Sequence, residues 1–148
     1  MKFCKGAEPR KMAAYFRFEV YTPHRAFFAD TVEAIVITLL DGEAAVYANH
    51  SHFTAPVIPC LLKIKDSKGI WKTAFTSEGL LEVTSHKTVL LSDAAEWPAE
   101  IDYERAKEAK EKAEETLKTA MLKFETEAAA ASLKRANMRI RARDESVK

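Results

Sequence analysis

Glycine, proline and cysteine are scarce in this sequence of 148 residues, which has four glycines, five prolines and two cysteines. Cys4 and Cys60 are too few for a disulfide framework, so both are expected as reduced thiols. The stretch of residues 34–40, apolar except for Thr38, falls far short of the roughly 20 residues that a membrane helix needs. Lysines near the N-terminus are not followed by an apolar segment, which argues against a secretory signal and predicts a cytoplasmic protein.

The sequence also lacks an excess of charge of one sign, since its formal net charge is +1. That balance argues against a general nucleic-acid binder, which would be basic overall. No G-x-x-x-x-G-K-[ST] loop is present and neither cysteine has an activating histidine motif, so no catalytic residue is predicted. His50-Ser51-His52 has no third ligand nearby, so no metal site is predicted either. With 47% hydrophobic residues, the chain can nevertheless build a real core.

Residues that break helices are absent after Pro98, where the composition changes abruptly. All glycines and prolines lie at or before that point, and Ala, Glu, Lys and Arg dominate residues 99–148. This shift predicts a domain boundary. We therefore divide the chain into an N-terminal extension (1–14), a β domain (15–98) and a helical domain (99–148).

The first half has the pattern of short β-strands separated by turns. Runs rich in aromatic and branched residues cover 15–22, 32–40, 69–75, 80–84 and 88–91, and residues 66–69 carry a hairpin turn signal. Seven to ten such strands, each with one face to bury, predict an antiparallel β-sandwich or flattened barrel.

The second half has the period of an amphipathic helix. Asp102 is a suitable N-cap because its carboxylate can accept from free backbone N–H groups in the first turn. Apolar residues then recur at steps of three and four along two stripes, which are Ala106, Ala109, Ala113, Leu117, Ala120 and Phe124, and then Ala129, Leu133, Ala136 and Ile140. We expect a bend at 124–127, with Glu125 or Thr126 starting the second helix, although one continuous helix is an open alternative. The predicted fold class is α+β, an N-terminal antiparallel β-sandwich followed by a C-terminal two-helix antiparallel hairpin.

The start of the second half carries a more specific signal. The segment Ile101-Asp102-x-x-Arg105-Ala106-x-x-Ala109-x-x-Lys112-Ala113 resembles the start of the C-terminal hairpin in the epsilon subunit of bacterial F-type ATP synthases. Residues 18–23, 41–50, 77–84 and 133–140 are similar, in the same order, to the first strand, a loop, a glycine-rich strand entry and the second helix of that family.

This resemblance implies a non-catalytic subunit of the central stalk that couples ion flow to ATP synthesis. Its expected partners are the gamma subunit, the membrane rotor c-ring and, through the helices, the alpha/beta catalytic head, where the opened hairpin blocks ATP hydrolysis. Its expected location is peripheral, at the cytoplasmic face of the cell membrane. No cofactor is required, and no nucleic acid is expected as a partner.

In some bacterial members the folded hairpin is held by one ATP molecule, a regulatory ligand. The positions of this sequence that match that site are Glu96, Asp102, Arg105, Ala106, Arg135 and Arg139. Guanidinium groups suit phosphate oxygens, and the carboxylates could accept from adenine or ribose. Lys112 and Ala128 stand where arginines can occur, which predicts weak binding. The alternative is that Asp102 only caps a helix and Arg105 makes surface ion pairs.

Two further groups of residues are assigned through the resemblance. Glu43, Tyr47 and His50 match the loop that contacts gamma and the rotor ring. The second helix carries the basic residues of the inhibitory contact, which are Lys134, Arg135, Arg139, Arg141 and Arg143. Residues 128–148 have six bases and two acids, a net of +4, against −2 for residues 101–127 with six bases and eight acids. This charge could instead hold the two helices together or form a solvated face.

Two other functions remain open from the sequence. The same hairpin could serve a free-standing nucleotide-sensing module, or it could be the arm of an adaptor. Binding to the gamma subunit separates the stalk subunit from both alternatives, because neither of them has a reason to bind gamma.

Overall fold

A computed structural model describes residues 14–148, in which nine β-strands precede two α-helices. Of the predicted extension 1–14, only Ala14 is among the described residues. Cys4 lies outside them. The strands are β1 (Phe16–Tyr21), β2 (Ala26–Leu39), β3 (Gly42–Tyr47), β4 (Phe53–Val57), β5 (Cys60–Asp66), β6 (Trp71–Thr76), β7 (Gly79–Val83), β8 (Lys87–Ser92) and β9 (Ala95–Glu96). A 3-10 turn (Pro98–Glu100) leads to α1 (Tyr103–Thr119) and α2 (Lys123–Ser146).

The strands form a sandwich that the long strand β2 joins together. One layer has the order β1-β8-β7-β4, and the other places β3 and β5 on the two edges of β2, followed by β6 and β9. The first half of β2 pairs with β1, whereas its second half pairs with β3 and β5. The register of β2 against β5 shifts between Val32 and Ala34, and such an irregularity lets a strand bend from one layer to the other.

One strand pair differs from the purely antiparallel sandwich predicted from the sequence. β1 and β8 are parallel, with Phe18 opposite Thr88, whereas the other pairings are antiparallel. Because most of the sandwich separates these two strands along the chain, no hairpin turn fixes their relative direction. The predicted sandwich fold itself is confirmed.

Alternation along the strands builds the core between the layers. In β5, for example, Cys60, Leu62 and Ile64 point inward and are buried, while Lys63 points outward. The fully buried residues of this core include Phe18, Val20, Val32, Ile35, Ile37, Leu62, Ile64, Leu81 and Leu90. Burying a branched aliphatic or aromatic side chain contributes roughly 1.5–3 kcal/mol, so we expect the sandwich to fold without the helices.

A second, smaller cluster attaches the helices to the sandwich. In β6, both Ala74 and Phe75 are fully buried, because Ala74 faces the sandwich core and Phe75 faces the helices. Phe75 packs with Ile101 and Ala142, and Met138 covers the cluster from α2. Helix α2 therefore lies against the outer face of the sandwich.

Helix α1 packs on α2 through alanines. Ala106 and Ala113 of α1 are buried, as are Ala129 and Ala136 of α2. The contact between the two predicted apolar stripes, called the alanine seam below, is therefore present. It includes fewer residues than the sequence pattern indicated. Phe124, predicted to lie in the seam, is 66% exposed.

The bend between the helices was predicted at the wrong place. Ala120 and Leu122 have extended backbone angles, so α1 ends at Thr119 and α2 begins at Lys123 rather than at Glu125 or Thr126. The N-cap, Leu122, has no side chain that can accept a hydrogen bond from the first turn. Thr126 lies inside the helix, where its hydroxyl donates to the Leu122 carbonyl. An acidic residue such as Glu125 also suits the first turn of a helix, so its presence did not mark the cap itself.

Candidate functional site: a charged cleft between hairpin and sandwich

A cleft of about 480 Å³ lies where the two helices meet the end of the sandwich. Its lining comes from three segments: the chain leaving the sandwich, the first turns of α1 and the middle of α2. The lining residues are Glu96, Glu100, Asp102, Arg105, Ala106, Ala109, Ser132, Arg135, Ala136 and Arg139. All six residues predicted to bind ATP are among them, so the structure brings together positions that are up to 43 residues apart in the chain.

The first turn of α1 contributes an acid and a base to the cleft. The Asp102 carboxylate accepts from the Arg105 backbone N–H at 3.0 Å, which confirms the predicted N-cap. One oxygen of the Asp102 carboxylate is therefore already engaged in a hydrogen bond to the helix backbone. Within residues 14–148, the Arg105 guanidinium makes no ion pair, and its side chain lies at the edge of the cleft.

Arg139 of α2 contacts two residues of the sandwich, Glu96 and Phe75. Its guanidinium donates to the Glu96 carboxylate, with Nε at 3.0 Å and Nη2 at 2.9 Å from Oε1. Its Cζ also lies 4.5 Å from the centre of the Phe75 ring, a cation–π contact. Both charged side chains are about a quarter exposed. Glu96 and Arg139 therefore tie α2 to β9 without any ligand.

Arg135, one turn earlier in α2, has a different partner. Its Nη1 donates to Glu78 Oε1 at 2.8 Å, and its Nη2 donates to the Ser132 hydroxyl at 3.2 Å. Glu78 lies between β6 and β7, and the second oxygen of its carboxylate accepts from the Ser77 hydroxyl. Burial alone raises the pKa of Glu78, but the hydrogen bonds from Ser77 and from its own backbone, together with the charge of Arg135, hold the pKa below its ordinary value. The carboxylate is therefore ionised at neutral pH.

A third ion pair involves Glu100, which also lines the cleft. Arg25, in the turn between β1 and β2, donates to both oxygens of Glu100 at 2.9 and 2.7 Å. Glu100 also accepts from the Trp97 backbone N–H. The Arg25 hydrogen bonds, with the Trp97 bond second, lower the pKa of Glu100. This pair joins the sandwich to the 3-10 turn that leads into α1.

Sequence reasoning did not find Glu78, Glu100, Ser132, Phe75 or Arg25. Glu78 is 57 residues from Arg135, and Arg25 is 75 residues from Glu100. No local pattern connects residues so far apart, and each of them fits an ordinary exposed or core position. Of these residues, only Ser132 could have been predicted from the sequence, because it lies three residues before Arg135 and therefore on the same helix face.

The five basic residues of α2 do not form one face. Arg135 and Arg139 line the cleft, and Arg143 donates to the Pro98 carbonyl at 2.9 Å. Lys134 and Arg141 instead line a smaller cleft of about 270 Å³, where α2 faces β3 and β5. The predicted inhibitory surface is thus divided into two stripes, one of which is occupied by contacts with the sandwich.

The loop residues predicted to contact gamma and the rotor ring are also divided. Glu43 is the second residue of β3 and lines the smaller cleft beside α2. Tyr47 ends the same strand about 13 Å away, at the rise of about 3.3 Å per residue of a β-strand. Tyr47 and His50 line one small cleft at that far end, together with Asn49, whose φ of 62° is left-handed.

Between residues 14 and 148, no three His, Cys, Asp or Glu side chains are grouped closely enough to hold a metal ion. No helix in that same part of the chain is both long and apolar enough to cross a membrane.

The fold and the cleft define a two-domain protein, a β-sandwich with a helical hairpin docked on it and a charged cleft where they meet. Residues 15–98 match the family described as ATP synthase, Delta/Epsilon chain, beta-sandwich domain. Residues 99–143 match the family described as ATP synthase, Delta/Epsilon chain, long alpha-helix domain. The chain belongs to this ATP synthase delta/epsilon family.

Curated relatives narrow the comparison to epsilon chains. The chain is 44% identical over 133 residues to an ATP synthase epsilon chain of Caldicellulosiruptor bescii, covering 90% of this chain and 96% of the relative. It is 45% identical over 127 residues to an ATP synthase epsilon chain of Caldanaerobacter subterraneus, covering 85% and 91% of the two chains. The relatives are epsilon chains, which are stalk subunits and not the catalytic subunit, so the family resemblance predicted from the sequence is confirmed.

Solved structures support the fold. One chain of the Euglena gracilis mitochondrial ATP synthase structure, described as OSCP/F1/c-ring, superposes with a TM-score of 0.75 at 19% identity, covering 99% of this chain and 88% of that chain. A chain of the Tetrahymena thermophila mitochondrial ATP synthase central stalk and c-ring superposes with a TM-score of 0.57 at 12% identity, covering 86% and 96%. At these identities the likeness concerns the fold alone.

Proposed function

We propose that this chain is the non-catalytic epsilon subunit in the central stalk of an F-type ATP synthase. Its sandwich binds the gamma subunit and the membrane rotor ring, and the chain lies at the cytoplasmic face of the cell membrane as a peripheral component. The family match over both domains and the epsilon chains among its relatives support this role. Both solved neighbours are chains of ATP synthase structures that are described with a c-ring. Tyr47 and His50 are the residues that we assign to the contact with gamma or the ring, because they project together from one end of the sandwich.

The hairpin is the regulatory part of this proposal. It restrains ATP hydrolysis when it opens and presents its basic residues to the alpha/beta catalytic head. Arg135, Arg139 and Arg143 contact the sandwich while the hairpin is docked, so undocking exposes them. The seam between α1 and α2 is made largely of alanines, and each buried methyl contributes only about 0.8 kcal/mol. Opening therefore costs little once the ties to the sandwich are released.

The cleft is the site that we assign to ATP. The observation that carries this assignment is the convergence of Arg105, Arg135 and Arg139 on one cavity from two different helices. Its volume lies within the roughly 300–1,000 Å³ that is usual for small-molecule sites. Because the ligand contacts both helices, it binds only the docked hairpin. At 100 times its dissociation constant it stabilises that form by about 2.7 kcal/mol.

The charges of the cleft predict that this binding is weak. Three arginines line it, but so do Glu96, Glu100 and Asp102, so the lining has no net positive charge. Arg139 is already paired with Glu96, and Arg135 with Glu78. Lys112 and Ala128, where arginines were expected, do not line the cleft. Phosphate binding therefore depends mainly on Arg105 and on the donors of Arg135 that remain free.

Co-purification with the gamma subunit of a relative's synthase tests the stalk assignment. We expect the full chain to bind gamma, and a Tyr47→Ala, His50→Ala double variant to bind more weakly if these residues face gamma rather than the ring. A chain that binds ATP but not gamma would identify a free-standing sensor. A chain that binds neither would identify an adaptor, and either result would refute the stalk assignment.

Calorimetry with ATP tests the ligand assignment. We expect measurable heat for the unmodified chain and a marked loss for Arg105→Ala and for Arg135→Ala. Arg141→Ala is the matched control, because this arginine pairs only with Glu145 of its own helix and does not line the cleft. Equal binding in all four proteins, or no heat at millimolar ATP, would contradict ATP binding in the cleft.

A further inference from the structure

The ion pair between Glu78 and Arg135 has a consequence for any ligand of the cleft. Arg135 lines the cleft, whereas Glu78 contacts it from the side of the sandwich. The guanidinium has five N–H donors, of which one binds Glu78 and another binds Ser132. A phosphate that enters the cleft therefore meets an arginine whose charge is already balanced by a carboxylate.

Glu78 is held in place by the backbone of the sandwich. Its carbonyl accepts from the Asp93 backbone N–H at 3.0 Å and from the Ser92 hydroxyl at 3.3 Å. The neighbouring Gly79 is in contact with β8, since a Cβ there would lie 2.0 Å from the Leu91 carbonyl oxygen. The backbone that carries the carboxylate is therefore fixed, and the Ser77 hydroxyl donates to one of the carboxylate oxygens.

The other arginines of the cleft differ from Arg135 in this respect. Arg139 combines its two-donor contact with Glu96 and a cation–π contact with Phe75, so both residues keep it against the sandwich. Arg105 makes no ion pair among the described residues. Arg135 is about a third exposed, carries one carboxylate contact and still faces the cavity. A single carboxylate, Glu78, can therefore control how much Arg135 contributes to anion binding.

We propose that Glu78 is an internal competitor for the phosphates of the ligand, which neutralises Arg135 and sets the affinity of the cleft for phosphate-bearing ligands. This inference rests on the proposed function, in which the cleft takes a nucleotide. Glu78 thereby determines the concentration range in which the site responds, without contacting the ligand itself. Binding of a polyphosphate shifts Arg135 from the carboxylate to the phosphate oxygens, and Glu78 is then left to solvent and Ser77.

Glu78→Gln removes the charge of the competitor and keeps its shape. Because the ion pair is about one-third exposed, solvent limits its strength, and we expect ATP to bind about fivefold more tightly to this variant. Glu82→Gln is the matched control, because Glu82 lies exposed on the neighbouring strand β7 and does not line the cleft. We expect its affinity to equal that of the unmodified chain.

The experiment is calorimetry of the full chain with three probes: ATP, inorganic tripolyphosphate and adenosine. Glu78→Gln should tighten ATP and tripolyphosphate alike and leave adenosine unchanged, because the competitor acts on phosphates only. Thermal unfolding verifies that the variant folds, and Glu78→Ala replaces it if the glutamine is not tolerated.

The outcomes separate this inference from the proposed function. If the unmodified chain binds ATP and Glu78→Gln binds it no more tightly, the competitor is refuted and the ATP site stands. If Glu78→Gln binds ATP and the unmodified chain does not, the result supports the inference that Glu78 competes with the phosphates for Arg135. If neither protein binds ATP or tripolyphosphate, both the ATP site and the competitor are refuted.

Discussion

Arg139→Ala should release the hairpin from the sandwich while leaving the sandwich intact. Arg139 makes a two-donor contact with Glu96 and lies 4.5 Å from the Phe75 ring centre. The ion pair is about a quarter exposed, which limits it to about 1 kcal/mol, and the cation–π contact with a fully buried ring adds roughly another 1 kcal/mol. A loss of about 2 kcal/mol increases the ratio of undocked to docked hairpin about 30-fold.

Hydrogen exchange measures this change directly. Amides of α2 should lose protection by about that factor, whereas amides of β5 and β7 should exchange as in the unmodified chain, because opening of the hairpin is a local event. Arg141→Ala is the matched control, since it removes the same side chain from the same helix, but its ion pair is with Glu145 of that helix and not with the sandwich. Equal protection of α2 in both variants would refute the claim that Glu96 and Phe75 hold the helix.

Three further predictions concern other parts of the fold. Leu122→Asp should stabilise α2 by about 1 kcal/mol, because the extended backbone of this N-cap would then carry an acceptor; a lower or unchanged helix melting temperature would contradict this. Gly79→Ala should destabilise the sandwich strongly in urea unfolding, since its Cβ would meet the Leu91 carbonyl oxygen at 2.0 Å, whereas the exposed Leu80→Ala should have a small effect; equal unfolding midpoints would refute the clash. The lowered pKa values of Glu78 and Glu100 mean that the unfolded chain binds more protons than the folded chain in mild acid. Their contribution to the unfolding free energy should be complete above the ordinary glutamate pKa of about 4.3 and should be lost as the pH falls through the lower folded values, so titrated urea curves that stay flat down to pH 3 would contradict it.

Local chemistry made part of this structure predictable. The cap at Asp102 and the alanines between the helices each depend on residues a few positions apart, and this spacing is visible in the sequence. The β-sandwich followed by helices was predictable for a similar reason, because the change in composition after Pro98 reflects two different ways of burying apolar surface.

Other features depend on residues far apart in the chain. The parallel pair of β1 and β8 has no local signature, nor do the partners of Arg135 and Arg139 on the sandwich. The bend was misplaced because Leu122 lacks the side chain that normally marks a helix start. The candidate site was therefore predictable through family resemblance at its six matched positions, while the carboxylate Glu78, which balances Arg135, became visible only in the folded chain.

The rate of ATP hydrolysis by a reconstituted synthase head is the most direct test of the central claim. The head, assembled with gamma from a relative, is measured alone, with the full chain and with residues 1–98. We expect the full chain to lower the rate and residues 1–98 to bind without lowering it, because the helices carry the inhibitory contact. An unchanged rate with the full chain bound, or equal inhibition by residues 1–98, would contradict the account.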